Sequence, residues 1–174
     1  MSELFDLYNE KLIPLRETAE RGDPIPPGKY HLVINVLSVN FEGKVLITLR
    51  SAEKPTYPNL WEVTEGAVIA GEKPAMAAIR ELKEETGLRA LPEALDYRGQ
   101  LVFKGGTHNH IVLFYLFRAD FGEEDVILQP GETAAARLVY PAEIEQMAKQ
   151  GEFISFVYQR AKAFYPDIFG EAMP

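Results

Sequence analysis

The chain contains no cysteine, which excludes disulfides, thiolate metal centres and cysteine nucleophiles. Histidine is almost as scarce: His31, His108 and His110 are the full set, and none falls between His31 and His108. No run of about 18 apolar residues occurs, as a membrane-spanning helix would require. The first residues, MSELFDLYNEKLIPLRE, carry charges where a signal peptide needs an apolar stretch. Together these predict a soluble, cytoplasmic protein with no membrane partner. Cations are in deficit as well, 18 Lys+Arg against 26 Asp+Glu for a net charge of -8. That balance argues against nucleic acid as a partner, because backbone binding relies on basic patches. An acidic substrate would need something cationic between itself and this protein. Internal repeats and low-complexity segments are absent too.

What is present suits one substantial core. With 174 residues, 47% of them hydrophobic, the reading is a single domain over 1–174, with 1–30 as an N-terminal arm or hairpin. In that first part LFDLYNEKLIPL holds two short apolar runs, and the prolines of RGDPIPPGKY make a rigid connector. YHLVINVLSVN and KVLITLRS are β-rich runs separated by a turn signal at Gly43, which predicts a hairpin. SAEKPTYPN reads as loop and LWEVTEG as one short strand. Two further strands lie in YRGQLVFKGGTHNHIVLFYLFRAD, joined near Gly105 and Gly106, and ARLVY gives another. PAEIEQMAKQG, with Pro141 at its start, and EFISFVYQRAKAFY have helical periodicity. The expected fold class is α/β or α+β, a sandwich of a mixed sheet with helices on both faces.

The most informative stretch is EGAVIAGEKPAMAAIRELKEETGL, residues 65–88. Pro74 suits a first helical turn and Gly87 a left-handed C-terminal cap, so the helix is expected over 74–86. Ala75, Ile79, Leu82 and Thr86 fall on one stripe, read as the core face, with Glu81, Glu84 and Glu85 roughly opposite, beside Ala77 and Ala78. Like charges at i,i+3 and i,i+4 cost roughly 0.2 to 0.5 kcal/mol per pair, and the last turn of a helix favours cations instead. A solvated face with Arg80 and Lys83 interleaved is one explanation. The other is a divalent cation, for which carboxylate oxygens projecting from one face are suitable hard ligands.

Spacing separates the two. Gly66, five residues, Glu72, seven residues, then Arg80-Glu81-Leu82-Lys83-Glu84-Glu85-Thr86-Gly87-Leu88 satisfies every position of the pattern G-x5-E-x7-R-E-U-x-E-E-x-G-U, with U a bulky aliphatic. This resembles the Nudix box, and the resemblance extends more loosely over residues 30–145. It implies a loop-helix-loop in which Glu81, Glu84 and Glu85, with the backbone carbonyl of Glu65, hold Mg2+ or Mn2+. It likewise implies that Arg80 orients the glutamates, and that Glu84, Glu85 and Arg80 carry the catalysis. Many relatives have Gly-Gly where this chain has Glu65-Gly66.

The resemblance implies hydrolysis of a diphosphate linkage in a nucleoside diphosphate derivative or a related small molecule, by attack of an activated water on phosphorus. A carboxylate must take the water's proton, either a box glutamate or an outside acid: Glu132, or Glu123, Glu124 and Asp125. The N-terminal LFDLYNEKLIPLRET followed by YHLVINVLSVN resembles the isopentenyl-diphosphate isomerase branch of the superfamily. Isomerase chemistry there uses a cysteine and a metal held largely by histidines, so it is not expected of this chain. A nucleotide-sensing module without turnover is the alternative, and a homodimer stays open. His108 and His110 sit on one side of a strand start, facing phosphate or solvent; Arg50 could grip phosphate, and Trp61 is assigned to the core.

Overall fold

The structure, a computed structural model, describes residues 3–170; residues 1–2 and 171–174 of the expected 1–174 domain lie outside the described part. At its centre two strands, β3 (His31–Asn40) and β8 (His110–Ala119), pair in parallel along their whole length, from His31 opposite His110 to Asn40 opposite Ala119. Both are buried along nearly their whole length and mostly apolar, which suits strands covered on both faces, although β3 also buries Asn35, Ser38 and Asn40. Outward from β8 lies β7 (Leu95–Phe103), antiparallel to it.

On the other side β3 has two successive neighbours. Its end turns through Gly43 into β4 (Val45–Arg50), with Val39 opposite Val45. Its first half pairs instead with β6 (Thr64–Ala67), setting Asn35 against Glu65 and Ile34 against Gly66. β4 splays away to pair with β5 (Trp61–Glu62) and β9 (Thr133–Val139). The stretch read from sequence as one strand, LWEVTEG, is therefore two, because Val63 marks the change from one partner strand to another. The gap that opens between β4 and β6 is where the site forms.

Helices cover both faces, as the sequence pattern predicts. One face packs Leu37, Val39, Ile47, Val112 and Phe114 against α2 (Pro141–Gln150) and α3 (Ser155–Phe164), with the short α4 (Pro166–Phe169) beside them. The other packs Leu32, Ile34, Val36, Ile111 and Leu113 against α1 (Pro74–Thr86). Helix α1 starts with Pro74 in its first turn and ends at Gly87, whose φ of 75° is the left-handed cap expected of it. Any side chain at Gly87 would also run into Ile127, its Cβ lying 2.8 Å from that of Ile127.

Ahead of the sheet, β1 (Leu4–Tyr8) and β2 (Pro14–Glu20) form an antiparallel hairpin. It is tied to the segment leading into α1: the Ala70 N–H donates to the Leu4 carbonyl and the Gly71 N–H to the Asp6 carboxylate, each at 2.7 Å.

Tyr165, fully buried between α3 and the sheet, links the core to the β3–β6 pair. Its hydroxyl lies 3.0 Å from the Tyr115 carbonyl and 3.1 Å from Asn35 Oδ1, so one proton is shared between two acceptors. The Asn35 amide in turn donates to Glu65 Oε2 at 3.2 Å. Tyr165→Phe should therefore lower the unfolding free energy by about 1 to 2 kcal/mol without changing the denaturant slope, read in urea titrations; no loss would mean the hydroxyl network carries no net stability.

Candidate functional site

Beside α1 the gap between β4 and β6 opens into a cleft of about 450 Å³, and nearly every side chain lining it is charged or polar. Helix α1 contributes Arg80, Glu81, Glu84 and Glu85. From β5 and β6 come Glu62, Glu65, Gly66 and Ala67; Arg50 ends β4 and Lys54 follows in the next loop. The approach to β9 adds Gln129, Glu132 and Thr133, and the N-terminal hairpin adds Glu3 and Arg21.

The face that α1 turns inward differs from the predicted stripe. Leu82 and Thr86 are buried as expected, but so are Ala77 and Ala78, while Ala75 and Ile79 are only half-buried. At about 100° per residue, Glu85 projects within roughly 20° of Ala78, near the middle of the buried arc, Glu81 falls between Ala77 and Ala78, and Glu84 stands at the edge. The helix is rotated so that its carboxylates point at the sheet's end. Small residues at 77 and 78 let α1 approach closely enough for that, whereas a conventional apolar stripe centred on Ile79 would have turned Glu85 to solvent.

Gly66 serves the same approach. A Cβ there would lie 2.1 Å from Glu81 Cδ, so the Glu81 side chain occupies the space that glycine leaves. Arg80 ties the group together. Its guanidinium donates to both carboxylate oxygens of Glu72 at 3.0 and 2.9 Å, to Glu81 at 2.7 Å, to Glu84 at 3.2 Å and to the Ala67 carbonyl at 3.0 Å. Glu72 also accepts the Ile69 N–H at 3.3 Å, closing the loop that precedes the helix. The hydrogen bond to Glu72 is the largest of several effects that hold the Arg80 proton more tightly than usual.

Charge is badly balanced here. Burial pushes the Glu85 carboxyl well above the ordinary range, and the negative charges of Glu62 and Glu81 push it the same way. Among the described residues Glu85 has no ion-pair partner within 4.0 Å. Burial also raises Glu81, against the pull of Arg80. Glu62 is pushed up to about 7 by burial although Arg50 binds it at 2.7 Å. Glu84 differs, with its side chain 46% exposed against 16% for Glu81.

The oxygen-only donor set fits a hard divalent ion such as Mg2+ or Mn2+ and contains nothing that would select a softer one. Among the described residues no three such groups are already gathered as a metal cage, because Arg80 draws Glu81 and Glu84 toward itself. Collecting these carboxylates around an ion takes rotation of the Glu81 and Glu84 side chains.

Of the outside acids, Glu132 reaches the cleft, where it is ion-paired with Lys54. Glu123 and Glu124 line a separate depression with Asp120 and Lys44; Glu123 accepts the Leu138 N–H and Asp125 the Gly122 N–H. His108 is exposed, while the His110 ring is half-buried, 4.7 Å from that of Phe103 and 5.8 Å from that of His31. Trp61 packs partly buried on the α2–α3 side of the sheet, beneath Arg137. Glu62, Lys54 and the hairpin's Glu3 and Arg21 went unrecognised in the sequence, since none belongs to the box and only the fold brings them to it.

Comparison with known proteins was made against this geometry. The NUDIX domain family model matches residues 29–158. An uncharacterized Nudix hydrolase of Listeria innocua is 32% identical over 157 residues, 90% of each chain. An RNA pyrophosphohydrolase of Rhizobium meliloti is 30% identical over 58% of this chain and 70% of its own. Among solved structures, a Deinococcus radiodurans protein superposes with a TM-score of 0.73 at 25% identity, over 94% of this chain and 99% of its own.

The raised carboxyls make stability depend on pH with a definite sign. A carboxyl whose folded pKa is raised contributes stability that is fully present below its unfolded value, 4.5, and is lost as pH rises through the folded value, about 7 for Glu62. In chelator the melting temperature should therefore fall between about pH 5 and pH 8. Glu62→Gln should make that fall shallower; an unchanged slope would mean that Glu62 is ionised at no cost.

Proposed function

The chain belongs to the NUDIX family and is a Nudix hydrolase, and from that premise we propose that it hydrolyses the diphosphate linkage of a small phosphorylated molecule, a nucleoside diphosphate derivative or a close relative, in the cytoplasm. The observation that carries the proposal is the crowding of Glu62, Glu81, Glu84 and Glu85 in one cleft with Arg50 and Lys54 at its side. Such crowding opposes folding, and it has a use if the site takes a divalent cation together with an anionic substrate.

In this reading Glu81, Glu84 and Glu85, with the Glu65 main-chain carbonyl, hold Mg2+ or Mn2+. The ion, when bound, neutralises phosphate charge and makes a water more acidic. Arg80, braced by Glu72 and the Ala67 carbonyl, pairs with Glu81 and Glu84 beside the site, and both glutamates turn from it toward the ion. Arg50 and Lys54 lend positive charge to the phosphates, at the expense of their ion pairs with Glu62 and Glu132. A carboxylate has to accept the attacking water's proton. Besides the box glutamates, Glu132 is a candidate, since of the outside acids named from the sequence it is the one that lines the cleft.

The test is a screen of nucleoside diphosphate sugars, dinucleoside polyphosphates, nucleoside triphosphates and isopentenyl diphosphate, with Mg2+ or Mn2+ and with chelator. Metal-dependent release of a monophosphate is expected from at least one, with no dimethylallyl diphosphate formed from isopentenyl diphosphate. Glu85→Gln should lower kcat by two or more orders of magnitude, about 3 kcal/mol or more in the barrier. Glu132→Gln should do so only if it is the base. Binding without turnover of any of these compounds would make the protein a nucleotide-sensing module instead.

A further inference from the structure

The hairpin β1–β2 precedes the residues matched by the family, which begin at 29, yet its two flanking residues reach the cleft. Glu3 and Arg21 face each other there, Arg21 Nη2 standing 2.6 Å from Glu3 Oε2 and the Arg21 N–H donating to the Glu3 carbonyl at 2.8 Å. The guanidinium lies over the Phe5 ring, 5.4 Å from its centroid. The hairpin itself is fixed to the segment before α1 through Ala70 and Gly71. Arg21 is thus held at the cleft wall by an aromatic face and a carboxylate, on a piece of chain anchored beside the box.

Its position relative to the other cations gives it a meaning. Arg50 and Lys54 stand at the β4 side, next to Glu62 and Glu132. Arg21 and Glu3 line the same cleft from the hairpin side, paired with each other, their side chains 60% and 48% exposed. Both pairs line the cleft that holds the carboxylates of α1. In the reading above Arg50 and Lys54 serve the diphosphate, which leaves Arg21 unassigned. A further cation in the cleft wall, paired with an exposed carboxylate it can release, suits an anion beyond the diphosphate.

Resting on the hydrolase reading above, we propose that Arg21 binds an additional anionic group of the substrate, a third phosphate or a phosphate ester on the far side of the scissile linkage, so that the hairpin selects polyphosphorylated substrates over diphosphates with a neutral far end. Glu3 occupies Arg21 until that group arrives, and Phe5 keeps the guanidinium at the wall.

Calorimetric titration of the intact protein with inorganic tripolyphosphate and with pyrophosphate, in excess Mg2+, tests this. Arg21→Ala should weaken tripolyphosphate binding by about tenfold, as loss of one charge-assisted hydrogen-bonded pair does, and change pyrophosphate binding by less than about twofold. Arg21→Lys should recover part of the loss, and Glu3→Gln should tighten tripolyphosphate binding by freeing Arg21. In turnover, Arg21→Ala should raise KM for nucleoside triphosphates with kcat little changed, and leave KM for nucleoside diphosphate sugars alone. Equal effects on both ligands, no effect on either, or a wild-type protein that binds neither would overturn the proposal. A wild-type protein that binds tripolyphosphate through Arg21 but cleaves no diphosphate would sink the hydrolase reading alone. One that cleaves diphosphates with Arg21→Ala indifferent to all would sink the anion site alone.

Discussion

A carboxylate pressed against the sheet-facing side of a helix, beside two others and without a cation of its own, is the constraint around which this molecule is arranged. Glu85 projects from the middle of the buried arc of α1, and burial, Glu62 and Glu81 all raise its affinity for a proton. The rest of the site looks like a set of concessions to that placement. Ala77 and Ala78 keep the helix close, Gly66 leaves room for Glu81, and Arg80 takes charge from Glu72, Glu81 and Glu84 at once. Ala77 and Ala78 are fully buried in the core, but they bring less apolar contact there than larger side chains would, and Arg80 is occupied by three carboxylates.

The sheet makes the arrangement possible by changing partners. Because β3 pairs with β4 at its end and with β6 along its first half, the two neighbours diverge and leave a polar gap at the mouth of an otherwise dry sandwich. The parallel β3–β8 pair and the buried Tyr165 hydroxyl hold the floor of that gap rigid, the latter through Asn35 to Glu65. Glu65 is tied into this floor as well: its carboxylate is received by Asn35, and Arg160 lies 3.8 Å away.

Much of this was legible in the sequence, for local reasons. Pro74 and Gly87 bound α1 because proline and glycine act on their own backbone, and the mostly apolar runs of β3 and β8 announce strands covered on both faces. The box spacing placed Arg80, Glu81, Glu84 and Glu85 on one helix. What was hidden depends on contacts distant in the chain. The rotation of α1 is set by how closely Ala77 and Ala78 let it dock, so an apolar stripe through Ile79 misjudged it. The break at Val63 is set by competition between β4 and β3 for partners. Glu62, Lys54 and Arg21 acquire meaning only when hairpin, β4 loop and box meet, and no local spacing encodes that meeting.

Whether the carboxylates are crowded for an ion, against the interest of the fold, is tested most directly by thermal melts of the parent and Glu85→Gln across a Mg2+ series beginning in chelator. Glu85 is the decisive position because it has no ion-pair partner among the described residues, whereas Glu81 is already paired with Arg80. In chelator at about pH 8, Glu85→Gln should melt higher than the parent, since it removes an unpaired charge from the inward face of α1. Adding Mg2+ should stabilise the parent by RT ln(1 + [L]/Kd) and the variant much less, so the two midpoints converge or cross. A variant that melts lower than the parent in chelator, with the same response to Mg2+, would show that Glu85 supports the fold and holds no ion.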